Sequence, residues 1–210
     1  NAPWAPTGYG TQGASLAVRL KKAGHEVVYY CNYGLHGGII EWNGIRCLPG
    51  AKDGYDDPII QGHVRAVQPD LLITLFDVWV WADKPFPLPI VEWEHYVRWA
   101  AWAPIDHSPL SQASQAGLAK ATYKLAMSEF GLEQMRKAGF ENAIYIPHGV
   151  EKDYGYTAAG RREFRRYLQI PDGAFLFGSV GLNRHFPCRK GYDQLIEALA
   201  LVPDAYLYLH

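Results

Sequence analysis

Arg184, Arg189 and Lys190 stand close together in NRHFPCRKG, residues 183–191, after an apolar run at 175–180 and before a helical pattern starting near Tyr192. In a strand-loop-helix unit such a loop lies at the C-terminal edge of a parallel sheet, beside a helix N-terminus, where anionic ligands bind. Arginine holds a phosphate bidentately and lysine adds a mobile point charge. The competing reading is a solvated basic loop.

A second candidate is PTGYGTQG, residues 6–13, in which Gly8, Gly10 and Gly13 have the spacing of a dinucleotide-binding turn. Glycine there lets the backbone approach phosphate or sugar with no Cβ in the way. A dinucleotide site also needs an acid at the tip of the next strand, for the ribose hydroxyls. Tyr30, Cys31 and Asn32 occupy that place. The residues therefore argue against NAD and leave a phosphate- or sugar-approaching loop ahead of a helix.

Two further groups fall where strands should end. Asp77 directly follows LLITLF, and Asp106 and His107 sit in the loop WAPIDHSPL. At strand C-termini these side chains can hydrogen-bond a substrate's hydroxyls or orient an attacking oxygen; Asp77 can equally cap a helix or turn. Glu92, Glu94 and His95 resemble a metal cluster, but neighbours on a strand point to alternating faces and do not converge on one ion. No metal site is expected. Trp79, Trp81, Trp93, Trp99 and Trp102 could line a carbohydrate cleft, although core packing is the stronger expectation.

The elements that must position these residues alternate. A helical pattern runs from Thr11 to Lys22, with lysines in its last turn and Gly24 as its stop. HEVVYYC, an unbroken apolar run, reads as a strand buried on both faces. Further strands are expected at 43–49, 71–76, 89–93, 122–128 and 143–149, with helices such as GLEQMRKAG between them. This alternation predicts an α/β fold with a Rossmann-like, mostly parallel sheet over residues 1–152. After a polar stretch whose RREFRR run reads as a solvated helix face, a second strand-loop-helix-strand unit predicts the first part of another Rossmann-like domain over 153–210.

With 49% apolar and 20% charged residues the chain should fold as a globule, and a formal net charge of −1 gives no attraction to nucleic acid. No apolar run is long enough for a membrane span, so a soluble, cytoplasmic protein is expected. The odd, dispersed Cys31, Cys47 and Cys188 suit neither a disulfide framework nor a zinc site. Both ends read as cut, because the strand expected before the glycine-rich turn is missing and the final AYLYLH has no covering element. An unpaired interior sheet edge would promote self-association.

Taken in chain order, PTGYGTQ, AMSEFG, IYIPHGVE and VGLN followed by RKG with the helix LIEAL resemble the motifs of family 4 glycosyltransferases. That resemblance spans about the whole chain. It implies the GT-B fold of two Rossmann-like domains and sugar transfer from a nucleotide-sugar to an acceptor hydroxyl, with retention and with no obligatory metal or other cofactor. It implies that Arg189 and Lys190 stabilise charge on the leaving diphosphate, and that Gly8 and Gly10 let the backbone approach donor or acceptor. Gly181 is followed by Leu182 where many relatives have Arg, so Arg184 or Arg189 must take that phosphate contact. Glu151 replaces the usual Asp after PHGV, and the family's donor-holding pair of glutamates would lie beyond His210. The chain alone is accordingly expected to be inactive. The rival readings are a nucleotide-sugar epimerase of the same fold and a non-catalytic sugar-binding fragment.

Overall fold

In the computed structural model, residues 1–51, 59–82, 97–151, 155–181 and 189–210 are described. They form compact units at Asn1–Gly149 and Val150–His210.

The first unit opens with helix α1, Gly8–Lys22. The Thr7 hydroxyl accepts from the Gly10 amide at 3.0 Å, and Arg19, Lys21 and Lys22 complement the dipole in the last turn. Gly24, at φ +96°, ends the helix. The helix therefore starts ahead of the expected Thr11, and the three glycines lie inside it instead of forming a loop. Tertiary packing explains the earlier start. Gly10 is buried, and a Cβ there would lie 2.5 Å from the Ala5 carbonyl oxygen and 2.8 Å from that of Ala2.

Strands β1 (Val28–His36), β2 (Ile40–Trp42) and β3 (Ile45–Gly50) make a three-stranded sheet in the order β1-β3-β2. β1 runs parallel to β3, whereas β2 is antiparallel to it. The expected strand at 43–49 thus begins two positions late, because Asn43 and Gly44, at φ 50° and 68°, are the two central residues of the β2–β3 hairpin turn. Positive φ at both positions is what such a turn demands. Also unlike the expectation, β1 is not buried throughout; only Cys31 is fully covered.

Helix α2 (Ile59–Val67) leads to the second sheet, β4 (Leu71–Leu75), β5 (Arg98–Ala103), β6 (Tyr123–Ala126) and β7 (Ile144–Tyr145). Its four strands are all parallel and lie in chain order. Helices α3 (Gln112–Lys120) and α4 (Glu129–Lys137) are each capped by a serine hydroxyl, Ser111 and Ser128. Trp99, Leu118, Ala126 and Met135 centre the core between this sheet and its helices. The all-parallel sheet with helices is consistent with a Rossmann-like fold. β5 was not among the expected strands, and the strand expected at 89–93 lies outside the described residues.

The second unit comprises α5 (Ala158–Tyr167), β8 (Phe175–Ser179), α6 (Tyr192–Leu199) and β9 (Ala205–Leu209), with β8 and β9 parallel. The strand, helix and strand fall where expected, and residues 182–188 of the expected loop lie outside the described residues. The Arg161–Arg166 run is not wholly solvated, however. Arg165 is 5% exposed, and its guanidinium donates to the carbonyls of Pro171, at 2.7 Å, and Ala174. The turn after α5 folds back over that helical face and takes Arg165 out of solvent. No helix among the described residues is long and apolar enough to cross a membrane.

Candidate functional site at the C-terminal edge of the parallel sheet

Every strand of the parallel sheet delivers a polar group to its C-terminal end, which is the edge where open α/β sheets bind ligands. After β4, Asp77 holds the N-cap position of a short 3-10 helix, Val78–Trp81, yet its side chain makes no capping bond. Instead it accepts from the Tyr9 hydroxyl in the first turn of α1 at 3.2 Å. The 3-10 helix is held from its other end by Lys120 Nζ, which donates to the carbonyls of Trp81 and Ala82 at 2.9 and 2.6 Å. Gly117 lets α3 close over it, since a Cβ there would stand 2.4 Å from the Val78 carbonyl oxygen. Asp77 is thus fixed by packing beneath it and by Tyr9 beside it.

After β5, His107 Nδ1 lies 2.9 Å from Asp106 Oδ1, and the Ser111 amide donates to His107 Nε2 at 3.1 Å. This pattern assigns the proton to Nδ1. Both ring nitrogens are engaged inside the loop that leads to the α3 N-cap, so the imidazole organises the loop and the Asp106 carboxylate, 90% exposed, is what the loop presents to solvent. The bond from His107 holds the Asp106 carboxyl below its ordinary pKa. Asp106 is therefore an acceptor for a hydroxyl and not a proton donor.

After β6 and β7, His148 Nε2 lies 3.0 Å from Met127 Sδ, and its ring packs on Trp102 with centroids 4.6 Å apart. Burial pushes the His148 pKa down, which favours the neutral ring. Trp102 also donates through Nε1 to the Ile146 carbonyl at 2.8 Å, fixing the end of β7. Gln12 of α1 reaches the Gly149 carbonyl at 3.0 Å. Through Tyr9 and Gln12, α1 is bonded to the ends of both β4 and β7.

No family model matches this chain, and no curated protein matches it.

The predicted residues fare differently. Asp77, Asp106 and His107 all lie beyond C-terminal strand ends of one sheet, as expected. Gly10 serves the packing of the N-terminal turn, whereas a Cβ on Gly8 would meet nothing within 4 Å. Arg189 and Lys190 are exposed in the turn before α6, whose N-cap Gly191, at φ 70°, offers no side chain to the helix amides. The Tyr192 hydroxyl donates to the Gly181 carbonyl, tying the start of α6 to the end of β8. Arg184 lies outside the described residues, as do Glu92, Trp93, Glu94 and His95. Among the described residues no group of His, Cys, Asp and Glu is placed to hold a metal.

Of the other tryptophans, Trp81 and Trp99 pack in the core with ring centroids 5.1 Å apart, while Trp79 is 50% exposed. Sequence reasoning missed Tyr9, Gln12, Met127 and His148 as parts of this edge. The one available signal was PHG at the end of the last expected strand.

Proposed function

We propose that this chain is the acceptor-side domain, and the beginning of the donor-side domain, of a retaining glycosyltransferase of GT-B type. The observation that carries the reading is the ordered set of motifs PTGYGTQ, AMSEFG, IYIPHGVE and VGLN with RKG, which resemble those of family 4. It is supported by two carboxylates, Asp77 and Asp106, beyond strand C-termini of a parallel sheet. In this reading Asp106, kept ionised by His107, accepts a hydrogen bond from an acceptor hydroxyl, and Asp77 with Tyr9 forms a second polar contact. Arg189 and Lys190, beside the uncapped N-terminus of α6, meet the diphosphate of a nucleotide-sugar. Fixed positive charge and aimed amides stabilise the negative charge that grows on the leaving diphosphate. The reading calls for a nucleotide-sugar donor, a carbohydrate or other hydroxyl acceptor, and no resident cofactor.

The test is turnover by the whole gene product with a panel of nucleotide-sugars. Release of nucleoside diphosphate only when a sugar acceptor is present supports transfer. Interconversion of the donor sugar without acceptor replaces transfer with epimerisation. Binding of sugars without either reaction reduces the protein to a carbohydrate-binding module.

A further inference from the structure

The chain enters α1 through a tight turn. The Ala5 amide donates to the Ala2 carbonyl at 2.9 Å, so residues 2–5 form a β-turn with Pro3 and Trp4 at its tip. Proline at the first of these two positions fixes φ and stiffens the turn. Ala2, Pro3 and Ala5 are buried, and Gly10 of α1 lies against the Ala2 and Ala5 carbonyls. Trp4 alone of the four is exposed, at 40%. A large apolar side chain left in solvent on an otherwise buried turn is a feature that packing does not explain.

β1 is shaped to receive this turn. Cys31 pairs with Pro49 of β3 and His36 with Gly50, the next residue, so Asn32, Tyr33, Gly34 and Leu35 leave the ladder as a bulge. The Ala2 amide donates to the Tyr33 carbonyl at 2.6 Å, and Trp4 Nε1 donates to the Gly34 carbonyl at 3.0 Å. Glycine is required at position 34, where φ is +92° and a Cβ would stand 3.0 Å from the Ala2 Cβ and 3.5 Å from the Ala5 Cβ. Tyr33, beside it, is 52% exposed. Bulges are over-represented next to ligand sites, where they re-aim side chains.

The indole N–H is the only polar group of a tryptophan side chain. With that group bonded to Gly34, Trp4 offers solvent a fixed aromatic face that can neither donate nor accept a hydrogen bond. Fixing favours binding, because rotamer freedom that is already lost is not lost again when a ligand arrives. The bulge lies in the C-terminal half of β1, and the turn runs on through the Thr7 cap to Tyr9, whose hydroxyl bonds Asp77 just past β4. The aromatic face therefore belongs to the C-terminal edge of the parallel strands, where α/β sheets bind ligands.

We propose that Trp4 is a stacking platform for a pyranose ring of the acceptor, a sugar whose equatorial hydroxyls leave axial C–H bonds across one face. Those C–H bonds carry slight positive charge and meet the negative face of the indole. The hydroxyls around the ring need acceptors, and Asp77 and Asp106 supply carboxylates at the C-terminal edge. An edge that combines one fixed aromatic face with carboxylates suits a ligand that is apolar on its face and hydroxylated at its rim. Assigning the ring to the acceptor rests on the acceptor-side reading given above; the platform itself rests on the turn and the bulge.

The experiment follows the Trp4 indole N–H signal of the full chain by NMR, assigned by its loss in Trp4→Phe, during titration with cellotriose, lactose and maltotriose and, separately, with uridine and adenosine. Affinities of the variants are read by calorimetry. Trp4→Gln keeps a side-chain N–H as many bonds from the backbone as the indole nitrogen but removes the ring, whereas Trp4→Phe keeps a ring and removes the donor. The expected result is a saturable shift of the Trp4 signal with at least one of the three sugars, at least tenfold weaker binding of that sugar by Trp4→Gln, and binding by Trp4→Phe within threefold of the parent. No shift with any of the sugars overturns the proposal. A shift with uridine or adenosine alone overturns it in favour of a nucleobase, which also stacks on aromatic faces. Binding lost in Trp4→Phe and kept in Trp4→Gln overturns it too, because the indole then matters only as the anchor of the turn. The titrations contain no sugar donor, so they are separate from the turnover assay. Trp4-dependent sugar binding without turnover keeps the platform and removes the transferase reading, and sugar transfer with an unchanged acceptor KM in Trp4→Gln does the reverse.

Discussion

The hydroxyl of Tyr9 donates to Oδ2 of Asp77 at 3.2 Å, joining the first turn of α1 to the end of β4 across 68 positions of sequence. The bond is part-buried, and an intramolecular hydrogen bond contributes about 0.5–1.5 kcal/mol. Tyr9→Phe and Asp77→Asn should each lower stability in urea unfolding, and the double variant should lose less than the sum of the two. A coupling of about 1 kcal/mol is expected. Strict additivity would show that the two side chains do not interact in solution.

Gly8 and Gly10 separate by sign. A Cβ on Gly10 would stand inside contact distance of two backbone carbonyls, so Gly10→Ala should cost about 1–3 kcal/mol, as overpacking does. Gly8 has open space, and Gly8→Ala should stabilise by roughly 0.5–1 kcal/mol through the backbone entropy it saves. Thermal unfolding of both variants beside the parent checks the pair. If Gly8 meets ligand, the stabilised Gly8→Ala protein should bind it more weakly.

The Asp106 carboxyl is held below its ordinary value, first by the hydrogen bond from His107. A depressed acid contributes stability that is present above the unfolded carboxylate pKa and is lost as pH falls through the lower folded value. In a carbon-detected titration, Asp106 should have a midpoint below 3.8 in the parent and move back up in His107→Ala. An unmoved midpoint would remove His107 as the cause.

His148 gives the opposite case, a base whose folded pKa lies below its unfolded value because its ring, although exposed, is partly desolvated. The unfolded chain then binds more protons at intermediate pH. Stability is full above the ordinary pKa of 6.5 and declines as pH falls below it, levelling off once the folded pKa has been passed. His148→Asn should flatten that part of the stability profile. A ring-proton titration of the parent with a midpoint at or above 6.5 would contradict the partial desolvation of the ring against Trp102.

Arg165 should be the most sensitive arginine of its run. Replacing it by Ala leaves the Pro171 and Ala174 carbonyls without their charged donor, for a cost of about 2–3 kcal/mol. Hydrogen exchange across α5 and β8 should accelerate in Arg165→Ala and stay near the parent in Arg162→Ala, since Arg162 is exposed.

Local residue pattern was enough to determine the α/β class. The apolar runs around Leu71–Leu75 and Tyr123–Ala126, and the serines that cap α3 and α4, carry their structure within a few positions. The cation-bearing turn before α6 was legible for the same reason. β5 was not, because RWAAWA is alanine-rich and has little intrinsic strand preference. It is a strand because β4 and β6 pair with both of its edges. The earlier start of α1, the burial of Arg165 and the engagement of both His107 nitrogens depend on groups that arrive from elsewhere in the fold. The bonds that tie α1 to Asp77 and Gly149 span 68 and 137 positions. Residue types and spacing determined the alternation of strands and helices and several of the side chains at their ends; tertiary packing decided that β5 is a strand and which of those ends meet, because hydrogen bonds and close packing act through space and are blind to separation along the chain.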